Sequence, residues 1–330
     1  MRRVVVSILV LFGLLLFGCV SSEQKVNGPQ EIVLPDVDIF GDYQLPGEFH
    51  VFIAFGQSNM QGPGAIRAQD REGVSERFRI MNVVSGGYAG VSREKHKLYK
   101  AQPPLIVPDR NLTNYLGLSI GLTPIDYFGR TLIENIPQDI TISVIAVASG
   151  DMALAAFHKT KGGDYNRGIG TLSGRPSQTE TQGMSRYTGA GYANMYDAII
   201  LNARLAQRAG GIIKGIIVHQ GESGPGFSDY DWDELLEEIY NDMLSDLGLV
   251  PHSIPILLGQ TWNGGSGNTG GALSSESRIQ SVLPNAWIIS SIGCTGRTGQ
   301  GQPDNIHFGS EGLQLLGTRY GEKMLELVYR

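Results

Sequence analysis

Cysteine is nearly absent from this sequence: 330 residues hold two, Cys19 and Cys294. That excludes a disulfide framework, and stability has to come from an ordinary apolar core. Positive charge is also short, with 26 Lys and Arg against 32 Asp and Glu. A net negative chain lacks the basic surface that nucleic-acid binding needs. Internal repeats are missing, and no break in composition divides the chain from about residue 48 to its end. That length fits one large α/β domain. A metal cluster is missing too. His219 and Glu222 are three residues apart but have no further ligand group beside them, so no metal is expected. The G-x-G-x-x-G spacing at Gly265 to Gly270 has no strand directly before it, which argues against a bound dinucleotide, and no cofactor is expected.

What is present begins with an export signal. Residues 1–18 read MRRVVVSILVLFGLLLFG, two arginines followed by an apolar run and a small residue, the pattern of a secretory signal peptide. Cys19 follows directly, as in a bacterial lipobox, so lipidation at Cys19 and anchoring in the cell envelope are expected. Residues 1–18 contain two of the basic residues and none of the acidic ones, which leaves 24 against 32 and a net charge of −8. Residues 19–46 read as a lipidated, polar tether followed by an edge segment, and residues 47–330 as the folded domain.

Within that domain, apolar runs rich in Ile and Val recur at 50–55, 140–148, 213–219, 254–259 and 286–292. Continuous runs of this kind are strands buried on both faces. Helical periods lie between them, at 192–208, 230–247 and 310–328, the last with Ser310 as N-cap. The alternation predicts an α/β fold, a three-layer α/β/α sandwich with a central parallel sheet. In such sheets the site lies beyond the carboxyl ends of the strands.

The segments at those ends carry the chemistry. The first strand runs straight into Gly56-Gln57-Ser58-Asn59-Met60. The second is followed by Ser149-Gly150-Asp151, the third by Gln220-Gly221-Glu222-Ser223, the fourth by Gln260-Thr261-Trp262-Asn263. The fifth leads to a glycine-rich loop that ends in Asp304-Asn305-Ile306-His307. A serine, a histidine and an aspartate at strand ends, with glycines and amides beside them, are the groups that nucleophilic acyl transfer needs. Met60 stands where a G-x-S-x-G elbow would need its last glycine, and Asp304 lies three residues from His307, so an α/β-hydrolase arrangement is excluded.

GQSNM near the amino-terminal end of the domain, HQGES in its middle and DNIH near its end resemble the SGNH (GDSL-like) hydrolase superfamily. Within it they are similar to the branch of sialate O-acetylesterase-like proteins and acetylxylan esterases of carbohydrate esterase family six. The resemblance spans nearly all of residues 48–330 and implies a three-layer α/β/α fold. It implies Ser58 as nucleophile, His307 as general base and Asp304 as the carboxylate that orients it. It also implies an oxyanion hole from the backbone N–H groups of Ser58 and Gly150 and the side chain of Gln220. Gln57, Asn59 and Glu222 belong to the same blocks as supporting residues.

The implied activity is a serine esterase that removes acetyl groups from carbohydrate. The net charge and two long loops, 158–191 and 262–275, which are rich in Gly and Ser, favour a neutral polymer such as acetylated xylan, with Trp262 and Tyr187 offering stacking faces. Arg167, Arg175 and Arg186 would be needed for a carboxylated sugar. The alternatives are a sialate O-acetylesterase or another short-acyl or feruloyl esterase, and a surface lipoprotein that binds glycan without catalysis. His158 is expected at the surface.

Overall fold

The computed structural model describes residues 33–106, 113–115, 118–172, 174–226, 228–262, 276–299 and 302–330, without the side chains of 113–115, 118–120, 276–277, 298–299 and 302–305. The signal peptide, Cys19, the polar half of the tether, the Gly265 to Gly270 motif, the segment after Trp262 and the Asp304 side chain lie outside that description.

All five apolar runs are strands of one sheet. They are β1 (Phe49–Gly56), β4 (Thr141–Ala148), β5 (Ile212–His219), β6 (Ile256–Gly259) and β7 (Ala286–Ile289). Two short strands that the apolar pattern does not reveal complete it: β2 (Phe78–Met81) and β3 (Leu98–Lys100). The order is β7-β6-β5-β1-β4-β2-β3. Every neighbouring pair is parallel except β2 and β3, so the expected parallel sheet carries one antiparallel edge. Arg79 hides β2 from the pattern. It interrupts a four-residue strand, and its guanidinium lies 4.0 Å over the Tyr43 ring. The edge strand β3 is covered by the segment before the domain, where the Leu98 N–H donates to the Ile39 carbonyl.

Alternation along β1 and β4 builds two cores. Phe52, Ala54, Ile142, Val144, Ala146 and Ala148 face one way and join Phe128 and Leu132 of α2 (Pro124–Asn135). Leu313, Leu316 and Tyr320 of α7 (Ser310–Val328) belong to the same core. Val51, Ile53, Phe55, Ile145 and Val147 are buried on the other face. There α5 (Met195–Arg208) packs across β4, β1 and β5. Helices on both faces of the sheet make the three-layer sandwich. The carboxyl ends of β4, β1 and β5 lie side by side at its centre.

Three local expectations need correction. Residues 158–191 are not an open loop: they fold into α3 (Lys161–Arg167) and α4 (Gln178–Gly189). Ser310 is the first residue of α7 rather than its cap; Gly309 is the cap, and the Ser310 hydroxyl donates to the Ala65 carbonyl. His158 is buried, with Nε2 2.9 Å from Glu238 and Nδ1 accepting from the Thr160 and Lys161 N–H groups.

Candidate active site

The site grows out of the end of β1. Gly56 has φ +154°, and a Cβ there would sit 2.0 Å from the His219 carbonyl oxygen. Only glycine lets β1 run this close to β5 and turn away. The Gln57 N–H then donates to the same His219 carbonyl, and the chain enters a single helical turn, α1 (Ser58–Gln61). Ser58 is its first residue. Helix geometry leaves the first N–H groups of such a turn without an intrahelical acceptor, so they face whatever the serine meets.

His307 comes from the other end of the chain. It lies on β9 (Gln302–Phe308), which forms an antiparallel ribbon with β8 (Gly296–Gly299). Its Nε2 is 2.9 Å from Ser58 Oγ across 249 positions of sequence. That is hydrogen-bond reach between a hydroxyl and a base, the geometry that lets an imidazole take the hydroxyl proton. Asp304 lies on the same strand, three residues before His307.

Asn59 ties these two parts together. It is fully buried. Its Nδ2 donates to the Ile306 carbonyl at 3.1 Å, and its Oδ1 accepts from the Phe308 N–H at 3.1 Å. One side chain beside Ser58 thus holds the peptides on both sides of His307. The second Nδ2 hydrogen goes to Glu222 Oε1 at 2.7 Å. Burial pushes the Glu222 carboxyl up, but the His219 ring and the Asn59 amide outweigh it and hold it below its ordinary value. The His219 Nε2 lies 3.6 Å from Glu222 Oε1, an electrostatic contact longer than a hydrogen bond. Glu222 is therefore a largely buried carboxylate whose Oε1 meets both Asn59 and His219, and His219 and Glu222 form no metal cluster among the described residues.

Gln220 is 1% exposed, and its amide is occupied. Nε2 donates to the Met152 and Gly224 carbonyls, each at 3.1 Å, and Oε1 accepts from the Trp232 indole N–H at the start of α6 (Trp232–Asp246). Gln57 Oε1 accepts from the Ser223 N–H at 3.2 Å. These bonds lace together the loops after β1, β4 and β5. In this state the Gln220 amide holds backbone, not an open hole for an oxyanion. Gly150 sits half-buried after β4, where the space a side chain would take holds nothing closer than Gln61 Oε1 at 3.6 Å.

Of the residues expected around the substrate, Tyr187 must be withdrawn. It is 1% exposed and cannot stack on a sugar. Trp262 is partly exposed against the core. Arg167 is held by Asp164 at 2.6 Å, and Arg175 is exposed. Sequence reasoning missed Trp232, Glu180 and Met152 as partners of the site. Only Glu180 had a legible signal, the Ser177-x-x-Glu180 capping box that opens α4.

A sequence model of one family, described as carbohydrate esterase, sialic acid-specific acetylesterase, matches residues 48–326. The chain belongs to that family. It is accordingly a carboxylic ester hydrolase, a carbohydrate acetylesterase. Among solved structures it is similar to NanS, with a TM-score of 0.60 and 16% identity over 86% of this chain and 99% of that one. A protein of Arabidopsis thaliana gives a TM-score of 0.54 and 16% identity over 84% and 98%. A carbohydrate acetylesterase of Xanthomonas citri gives 0.54 and 16% over 85% of this chain and 57% of its own. At that identity the three structures establish the fold.

Proposed function

We propose that this esterase works through Ser58 and His307, with Asp304 orienting the histidine, to remove acetyl groups from a carbohydrate. The observation that carries the reading is the 2.9 Å contact between His307 Nε2 and Ser58 Oγ at the carboxyl edge of the sheet. His307 takes the hydroxyl proton as Ser58 Oγ attacks the acetyl carbonyl. The oxyanion that forms is met by the N–H groups of Ser58 and Gly150. Collapse breaks the bond to the sugar oxygen, which receives the proton from His307. Water, activated by the same imidazole, then hydrolyses the acetyl-enzyme.

For the substrate we favour a neutral acetylated polysaccharide such as acetylxylan. Asp151, directly after Gly150, is exposed and adds a negative charge beside the proposed oxyanion donor. The net charge of the chain has the same sign. An O-acetylated sialic acid is the second reading, favoured by the family description and by the exposed Arg175. Acetate release measured side by side from acetylated xylan and from O-acetylated sialic acid separates the two. Faster release from the sialic acid, abolished by Arg175→Ala, would reverse the assignment. We also propose that Cys19 is lipidated and holds the enzyme at the envelope. Mass analysis of the mature chain without an acyl group on Cys19 would end that proposal.

A further inference from the structure

The sheet ends before the site does. β4 pairs with β1 along its whole length, from Thr141 opposite Phe49 to Ala148 opposite Gly56. On its other side, β2 stops at Met81 opposite Ile145. Among the described residues, no strand pairs on that side with the residues from Ala146 to Gly150. The helix α4 stands there instead.

Tyr187 replaces the missing strand at Ala148. Its hydroxyl accepts from the Ala148 N–H and donates to the Ala148 carbonyl, both at 3.0 Å. One turn back along the helix, Gly183 faces Ser149. A Cβ on Gly183 would lie 2.0 Å from Ser149 Oγ and 2.7 Å from Ser149 Cβ, so the bare backbone of α4 packs directly on the Ser149 side chain. One turn further back, the buried Glu180 accepts from the Ala153 N–H at 3.1 Å and from the Tyr165 hydroxyl at 2.6 Å, with its other oxygen on the Ser177 N–H at 2.7 Å. Between these points Asp151 is held at φ +59°, a left-handed conformation that a non-glycine residue keeps only when its surroundings impose it.

We infer that α4, through Tyr187, Gly183 and Glu180, is a splint that positions the Gly150 N–H for the oxyanion. These are positioning residues: none touches the substrate. The inference rests on the proposed role of Gly150. It gives a reason for the spacing of the three residues, 180, 183 and 187, which puts them on one face of a helix. It also gives a reason for a glycine inside a helix, where it costs stability.

The test uses the full chain and two substitutions, Gly183→Ala and Tyr187→Phe. The first drives a methyl group into Ser149; the second removes one oxygen atom. Turnover of p-nitrophenyl acetate is measured per active site titrated, together with inhibition by phenylboronic acid, which forms a tetrahedral adduct on a serine hydroxyl. The expected result is a kcat about 10- to 100-fold lower for Gly183→Ala, with a smaller loss for Tyr187→Phe. The boronate Ki should rise in the same proportion, while KM stays within about twofold of wild type. A purely structural helix would lower the melting temperature or the number of titrated sites and leave kcat per site and Ki unchanged; that result would overturn the inference. Should Gly183→Ala not fold, Tyr187→Phe alone carries the test, because kcat and Ki equal to wild type would be decisive against it. Wild-type turnover that survives Ser58→Ala would instead remove the serine reading, and the splint with it.

Discussion

The two sides of the Ser58 cleft are built by different means. The Gly150 side extends the central sheet and is held by one helix, through the buried side chains of Tyr187 and Glu180 and the close approach of Gly183. The His307 side is a two-stranded ribbon outside the central sheet. Ile306 is 49% exposed there, next to a half-buried His307. Among the described residues, the ribbon is held by Phe308, buried in the core, and by the buried amide of Asn59, backed by the charge of Glu222. Rigid sheet geometry thus places the nucleophile and the proposed oxyanion donor, whereas the peptides on both sides of the base are tied to α1 by one side chain bonded at three points. Errors on the two sides should therefore differ: on the Gly150 side they spread over many contacts, and on the His307 side they concentrate in Asn59.

The largest effects belong to the pair that joins the two sides. Ser58→Ala and His307→Ala should each lower kcat by on the order of 10³ or more, measured as acetate release. The double substitution should cost little beyond either one, because the two groups act as a unit. Losses that multiply would show that His307 acts on something other than Ser58.

Next comes the joint between the ribbon and α1. Asn59→Asp keeps the acceptor for the Phe308 N–H but loses the donors to Ile306 and Glu222, and it sets two carboxylates face to face. A kcat loss of about 10²-fold is expected, the scale of a small displacement of a catalytic group. Adding Glu222→Gln gives the carboxylate introduced at position 59 a donor in place of a repelling charge, so the double variant should recover part of the loss. No recovery would mean that Asn59 acts by some route other than holding His307.

Much of this architecture was legible in the sequence, and the reasons are physical. Strands buried on both faces leave continuous Ile and Val runs, so five of the seven strands of the central sheet could be read directly. A strand broken by Arg79 could not, because its burial depends on a ring, Tyr43, that only the fold brings near. Ser58 and His307 were legible as groups that chemistry requires at strand ends. Gln220 was legible as an amide in the right place, but not its orientation. That depends on the Trp232 indole and the Met152 and Gly224 carbonyls, and no local pattern marks them. The segment 158–191 read as a loop because its Gly, Ser and Thr content resembles one. The helix α4 forms there because its capping box closes its first turn and its buried face meets the Gly150 loop.

Gln220 sharpens the comparison further, since it belongs to the Gly150 side by its bonds. As an oxyanion donor, its replacement by Ala would lower kcat by roughly 10²–10³ and leave stability nearly untouched. As a lace between loops, Gln220→Ala should reduce stability by about 1–3 kcal/mol, because the Trp232 indole and two carbonyls lose buried partners. The loss in kcat should then be nearer to ~10-fold, within the range for a displaced positioning group. Denaturant titration beside steady-state kinetics separates the two outcomes.

The smallest effect expected is on stability against pH, and it tests the charged brace of the His307 side. The Glu222 carboxyl is held below its ordinary value of 4.5, with burial opposing and His219 and Asn59 prevailing. A folded-state pKa below the unfolded one means that the charged carboxylate is the form the fold favours. Its contribution is complete above about pH 4.5 and is lost as the pH falls through the lower folded value. Glu222→Gln has no such proton to take up. Its melting temperature should lie below that of wild type at neutral pH, and the gap should narrow as the pH is lowered from about 4.5. A gap that stayed constant down to the acid unfolding limit would mean that Glu222 braces Asn59 by shape and hydrogen bonding alone, with its charge contributing nothing to the hold on His307.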